Sequence, residues 1–276
     1  MGLMPDYYPS GVRLRLFLSF ICVFCASQLL AQPQPFSFIT NSNSSSQESA
    51  LSATPPPDAE FSFVRLMYDQ GMTSFGRRAP WRTDWPEAET HFLQGISRLS
   101  ILESAGQARS IRLTDEAIFD YPWLYSVDVG KWSLTDEEAA NLREYLLRGG
   151  FMMVDDFHGS YEWQVFLTHL QKAFPDRPIV EIPEDDALMS VMFELDKSIQ
   201  IPGIRAYNSG QTWEQDGYTP HWRGIYDDHG RLMLAINFNM DLGDAWEHAD
   251  DPGYPEPMTS LAYRFAVNYV IYAMTH

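Results

Sequence analysis

Residues 135 to 159 spell out one complete helix, strand and loop, and that unit constrains the fold more than any other stretch of the chain. Thr135 followed three residues later by Glu138 is a capping box, in which each side chain satisfies a backbone donor at a helix start. Asp136 and Glu137 suit the positive end of the helix dipole, while Leu142, Tyr145 and Leu146 fall on one face. Gly149 supplies a left-handed exit, so the spacing predicts a helix over 136–148. Phe151–Val154 then reads as a short buried strand that delivers Asp155, Asp156 and His158 into a loop reaching Gly159. In open α/β sheets, ligands sit beyond the carboxyl ends of the strands. Neither a cysteine nor a Gly-x-Ser-x-Gly elbow occupies this strand end, so the pattern marks a place on the fold without naming a nucleophile.

The same alternation continues on both sides. Phe61–Met67 is rich in strand formers, and Phe92, Leu93, Ile96, Leu99 and Leu102 keep helical spacing. Between them runs a long loop, Tyr68–Pro86, holding Arg77, Arg78, Trp81, Arg82 and Trp85. Ile111–Leu113, Trp123–Val127 and Ile179–Ile182 are short strands, with a helix over Ser160–Ala173. Residues 183–230 are the least regular part. Leu232–Phe238 is a continuous apolar run, as expected of a strand covered on both faces. A polar loop from Asn239 to Pro257 follows, and a helix over 258–274 is apolar most of the way round. The expected class is α/β: a mainly parallel sheet with helices on both faces.

The N-terminus reads as an export signal over residues 1–31, with Arg13 and Arg15 before the apolar Leu16–Ala26 and Ala31 at the cut. That apolar run is shorter than the ~20 residues of a spanning helix, so no membrane span is expected once the signal is cleaved. Residues 32–60, rich in Gln, Ser, Asn and Pro, bury too little to offset their ordering entropy and read as a disordered linker. Residues 61–276 form the expected globular domain. Both cysteines, Cys22 and Cys25, lie inside the signal, which leaves the mature chain without disulfides, thiolate nucleophile or cysteine-held metal. With 19 basic against 37 acidic residues, the field repels phosphate backbones and argues against nucleic acid as a partner.

Two clusters carry possible chemistry. Asp155, Asp156 and His158 are the candidate catalytic group: carboxylates with an imidazole suit acid/base work or a divalent metal. Asp241, Asp244, Glu247 and His248 form the second, just past an apolar strand, without the register of a calcium loop. If both strands are parallel, the two clusters meet across one cleft. Trp81, Trp85, Trp132, Trp222 and Trp246 lie in expected loops and offer flat faces on which sugar rings stack. Arg77, Arg78 and Arg82 offer bidentate contacts to an anionic group. The candidate binding set is therefore Arg82, Trp85, Trp132, Asp241, Asp244, Trp246 and Glu247. Ser160 and Ser209 lack an elbow context, which discounts a serine triad.

Several segments together carry a family resemblance. They are Arg65-Leu-x-Tyr68, Tyr121-Pro-Trp-Leu-Tyr125, Leu142-Arg-x-Tyr-Leu-x-x-Gly-Gly-Phe151, Asp155-Asp156, Asp241 with Trp246-Glu247, and Asn268-Tyr-Val-x-Tyr272. In that order they resemble the bacterial family of unknown function DUF4159, over essentially all of 63–273. The resemblance implies a class I glutamine amidotransferase-like fold with a flavodoxin-like sheet, near the trehalose-utilisation type. It supplies no catalytic residue, and the nucleophilic cysteine of that wider group has no counterpart here. Where the family often carries an Asp-His-Pro run after Ile182-Pro183, this chain reads Glu184-Asp185-Asp186-Ala187.

The sequence reading favours an exported, non-catalytic module of the cell envelope, periplasmic or extracellular, that binds a carbohydrate or protein partner through an acidic and aromatic cleft. Its alternative is a metal- or carboxylate-dependent hydrolase of a carbohydrate-type or amide substrate.

Overall fold

The computed structural model describes residues 59–70 and 79–276. The expected signal, nearly all of the expected linker, and Arg77 and Arg78 lie outside the described residues. The strands are β1 (Val64–Met67), β2 (Asp69–Gln70), β3 (Arg109–Arg112), β4 (Trp123–Val127), β5 (Trp132–Ser133), β6 (Phe151–Asp155), β7 (Val180–Glu181), β8 (His221–Tyr226) and β9 (Leu232–Phe238). The helices are α1 (Glu87–Leu99), α2 (Asp136–Leu147), α3 (Gly159–Ala173), α4 (Ile204–Asn208), α5 (Leu242–Glu247) and α6 (Glu256–Thr275).

Seven strands pair in the order β3-β1-β4-β6-β9-β8-β7, and β2 pairs with β5 in a separate two-stranded ribbon. The first five of the seven are parallel, with β4 and β6 in register from Trp123 opposite Phe151 to Val127 opposite Asp155. β8 runs antiparallel to β9, and β7 antiparallel to β8. Counted among themselves, the five parallel strands run 2-1-3-4-5 across the sheet, so the order reverses between β1 and β4. Such reversals open a crevice at the strand ends.

Strand alternation divides the interior into two cores. Trp123, Tyr125, Phe151 and Met153 point to the side covered by α1, α5 and α6; Leu124, Met152 and Val154 point to the side covered by α2 and α3. α6 is buried over most of its circumference. Its Asn268 donates to the carbonyls of Leu188 and Phe193, and its Tyr269 hydroxyl donates to Asn237 Oδ1 at 2.5 Å. Among the described residues no helix is long and apolar enough to cross a membrane.

The unit that opens the sequence argument forms as its residues predict. Both halves of the capping box close, with Glu138 N donating to Thr135 Oγ1 at 3.1 Å and Thr135 N to Glu138 Oε2 at 2.8 Å. Gly149 leaves α2 at φ +109, and Gly150 serves a different purpose. A Cβ there would lie 2.4 Å from the ring of Tyr145, whose hydroxyl reaches back to the carbonyl of Tyr121 at 2.9 Å.

Two expectations need correction. The irregular region 183–230 contains α4 and the antiparallel strand β8, and the polar loop after β9 contains α5. β8 escapes a periodicity reading because its outer positions, His221 and Arg223, are polar and pair with Glu181 of β7. Removing the cap of α2 with Thr135→Ala is expected to cost about 1 kcal/mol, read as a lower urea midpoint at unchanged slope.

Candidate functional site

Three adjacent parallel strands leave the sheet in the same way. β4 is followed by Asp128 at φ +59, β6 by Asp156 at φ +50, and β9 by Asn239 at φ +64. Among non-glycine residues, Asp and Asn tolerate this left-handed conformation best, because their short polar side chains bond locally. Backbone amides tie the three exits together. Asp128 N donates to the carbonyl of Asp155 at 3.0 Å, Asp156 N to that of Met240 at 3.1 Å, and Asn239 N to that of Phe157 at 3.0 Å. A third left-handed aspartate, Asp84 at φ +62, comes from the segment after β1.

Above these exits lies a cleft of about 470 Å³, a size that takes a small ligand. Eight carboxylates line it: Asp84, Asp128, Asp156, Glu162, Glu214, Asp241, Asp244 and Glu247. His158, His248, Lys131 and Arg205 are also on its wall. Two cations against eight carboxylates leave a strongly negative interior that disfavours anionic ligands.

Each wall is fixed by identifiable contacts. The segment leading into Asp84 is held by Arg65, a fully buried β1 residue whose guanidinium pairs with Glu89 of α1 and donates to the carbonyls of Trp81, at 3.0 Å, and Thr83. The guanidinium also lies 5.0 Å from the centre of the Tyr125 ring. Asp128 accepts from Thr83 Oγ1 at 3.2 Å and pairs with Lys131 at 2.5 Å. His158 is 3 % exposed; its Nε2 faces Asp156 Oδ1 at 3.2 Å, and its backbone N donates to Glu162 Oε2 at 2.7 Å. Asp241 caps α5, its Oδ1 accepting from Asp244 N at 2.8 Å, while Asp244 Oδ2 accepts from Ile204 N at 2.7 Å.

The Asp155-Asp156 pair divides its labour. Asp155 is the last residue of β6, points under α5 and is fully buried. Its Oδ2 accepts from the amides of Leu242 at 2.8 Å and Gly243 at 3.0 Å, and from the Tyr125 hydroxyl at 3.3 Å. It therefore anchors a helix start, a standard use of a carboxylate. Asp156, one residue on and left-handed, lines the cleft instead.

Crowding raises the carboxyl pKa values. Burial is the main cause for Asp84 and Asp241, which stand well above the usual range; the charges of Asp244 and Asp156 add to it. Burial also lifts Asp156, to about 6, against the opposing hydrogen bond from His158. Asp155 rises through burial and the charge of Asp156, opposed by the two α5 amides. Burial works against the charged form of His158, but the hydrogen bond and charge of Asp156 outweigh it, so the imidazole is raised. Glu247 is raised by burial and by Asp244.

The structure thus brings Asp156, His158, Asp241, Asp244 and Glu247 to one cleft, as two parallel strands would. The tryptophans need correction as a stacking surface. Trp132 and Trp246 belong to the core, the first stacked on Phe166 at 5.3 Å and the second edge-on to Phe92 at 4.8 Å. Trp222 is buried against Phe265. Trp85 is half-buried beside Trp81, and exposed Arg82 lies over the Trp81 ring; neither residue is on the cleft wall. Ser160 and Ser209 bond to Asp216 and to the Ala206 carbonyl.

Sequence reasoning missed Asp84, Asp128, Lys131, Glu162 and Glu214. The strand-end rule that singled out Asp156 would also have found Asp128, which directly follows Val127. Asp84 carries no comparable signal, since a contact from β1 places it.

Residues 62–274 match the model of the family described as Domain of unknown function (DUF4159). The chain belongs to that family. No curated protein matches it.

Asp155→Ala would strand two buried amides at the start of α5, and is expected to cost about 3 kcal/mol in chemical denaturation. Raised carboxyl pKa values also make the folded state the tighter proton binder. The stability this adds is full below the ordinary Asp value, about 4, and is lost as pH rises through about 6 for Asp156. In chelator-containing buffer the urea midpoint is therefore expected to fall over that interval, and to fall less in Asp84→Asn.

Proposed function

We propose that the cleft is the active site of a hydrolase acting on a neutral carbohydrate-type or amide substrate. The observation that carries this reading is the buried His158–Asp156 pair opening into an acidic cleft at the strand ends. An imidazole whose Nε2 is oriented by a carboxylate is a competent proton carrier, and such pairing sets its direction and tautomer. In this reading His158 takes the proton of an attacking water. Glu247, whose carboxyl is raised toward the protonated form, returns a proton to the leaving group. Bond making and breaking then balance: the substrate carbon gains hydroxide, and the leaving oxygen or nitrogen gains hydrogen. The acidic wall selects against phosphorylated and carboxylated substrates.

The 2-1-3-4-5 order of the parallel strands supports the finer fold assignment, flavodoxin-like and of the class I glutamine amidotransferase-like type. We also propose export to the periplasm or beyond, supported by the apolar run over Leu16–Ala26 and the confinement of both cysteines to that region. The non-catalytic module reading rests on the missing nucleophile and on an acidic and aromatic cleft, and burial of Trp132 and Trp246 weakens only the aromatic part of that cleft.

The test is turnover of nitrophenyl glycosides and N-acetylated amino-sugar amides by the purified protein. His158→Gln is expected to lower kcat by about 100- to 10,000-fold on whichever compound is turned over, with an unchanged circular dichroism spectrum. A wild-type protein inert on both sets that still binds immobilised glycan would instead support the module.

A further inference from the structure

We propose that Asp84, Asp156 and Asp241 together hold one divalent cation of the hard, oxygen-preferring class: calcium, manganese or magnesium. The proposal deepens the reading of the cleft given above and rests on it for the site, though not for the reaction.

Three loops that are distant in sequence each contribute a carboxylate oxygen, and these oxygens lie within 4.8 Å of one another. A cation that keeps oxygen ligands at roughly 2.3–2.6 Å bridges such a separation. The protein supplies little else to balance the charge. Arg65 pairs through Nε with Glu89 and through Nη1 with the carbonyls of Trp81 and Thr83, its Nη2 makes no hydrogen bond to Asp84 or to any other described residue, and Lys131 is paired with Asp128. His158 reaches Asp156 alone among the three.

A second observation points independently to a ligand. Asp84 is 7 % exposed and lines the cleft, yet its Oδ2 has no hydrogen-bond partner among the described residues. A buried carboxylate in that state must take a proton or a cation. His158 Nδ1 is likewise buried and unpartnered in the same cleft.

Room has been left around these oxygens. A Cβ on Gly243 would lie 2.6 Å from Asp84 Oδ2, and one on Gly203 would lie 2.8 Å from Asp241 Oδ2. The donor set determines the class of ion. All three ligands are carboxylates with no thiolate and no imidazole among them, which favours hard cations over zinc or copper. The neighbouring group of Asp244, Glu247 and His248 is a weaker candidate. Its histidine is shared with Asp251, and Asp244 Oδ2 is committed to Ile204 N.

The test is isothermal titration of the chelator-stripped full chain with calcium, manganese and magnesium chloride, alongside thermal melting. At least one ion is expected to bind with one-to-one stoichiometry and to raise the melting temperature. Asp84→Asn is expected to weaken that binding at least tenfold while melting no lower than wild type in chelator, and Asp241→Asn gives the same reading if the first variant does not fold. Glu144→Gln, on the outer face of α2, serves as the control that leaves binding unchanged. Absence of saturable binding for all three ions at millimolar concentration overturns the proposal. So does binding that survives both variants, or that is lost only in Glu247→Gln. Cation binding without turnover of the nitrophenyl or amide probes keeps the site and rejects the hydrolase. Turnover by a protein that binds no cation and is indifferent to chelator does the reverse.

Discussion

A single fully buried carboxylate joins the central strand to the helix that carries one wall of the cleft. Asp155 ends β6 and accepts the first amides of α5, a helix of only six residues that has too few internal bonds to persist alone. Through that contact the positions of Asp241, which caps α5, and of Asp244 and Glu247 within it depend on β6. The same strand end then turns left-handed and presents Asp156 to the other side. Two neighbouring aspartates thus build a frame and furnish it, because β6 ends at the first and the left-handed turn at the second redirects its side chain into the cleft.

Arg65 plays the matching part on the first wall. Its charge is taken out of water and returned as an ion pair with Glu89 and two contacts to carbonyls, Trp81 and Thr83, just before Asp84. Such a pair adds little net stability, since desolvation offsets most of the attraction. What it contributes is placement: a loop with no regular structure of its own presents a carboxylate at a defined depth. The cleft is therefore assembled from two buried polar contacts, one under each wall.

The architecture was legible because most of it is periodic. The capping box, the glycine pair and the apolar run of β9 each encode their element within a dozen residues, and alternation of strand and helix then implies a parallel sheet. What escaped reading depends on partners far away in sequence. α5 has too few residues to show a period, and β8 puts polar groups outward because β7 meets them. Trp132 sits between charged and polar residues and reads as surface, yet the turn at Val129–Lys131 folds it onto Phe166. The site followed the same division. Asp156 and Asp241 could be found from strand ends, whereas Asp84 owes its place to a guanidinium nineteen positions earlier.

The left-handed residues around the rim have a consequence for how this protein can vary. Asparagine accepts that backbone shape as readily as aspartate, and Asn239 already occupies one of the strand exits. The ring can therefore be discharged one position at a time while the main chain keeps its course. Branched or aromatic replacements would disturb both the path of the chain and its electrostatics. Shape and charge are separable variables at this rim, and descendants of this sequence could tune the second while inheriting the first.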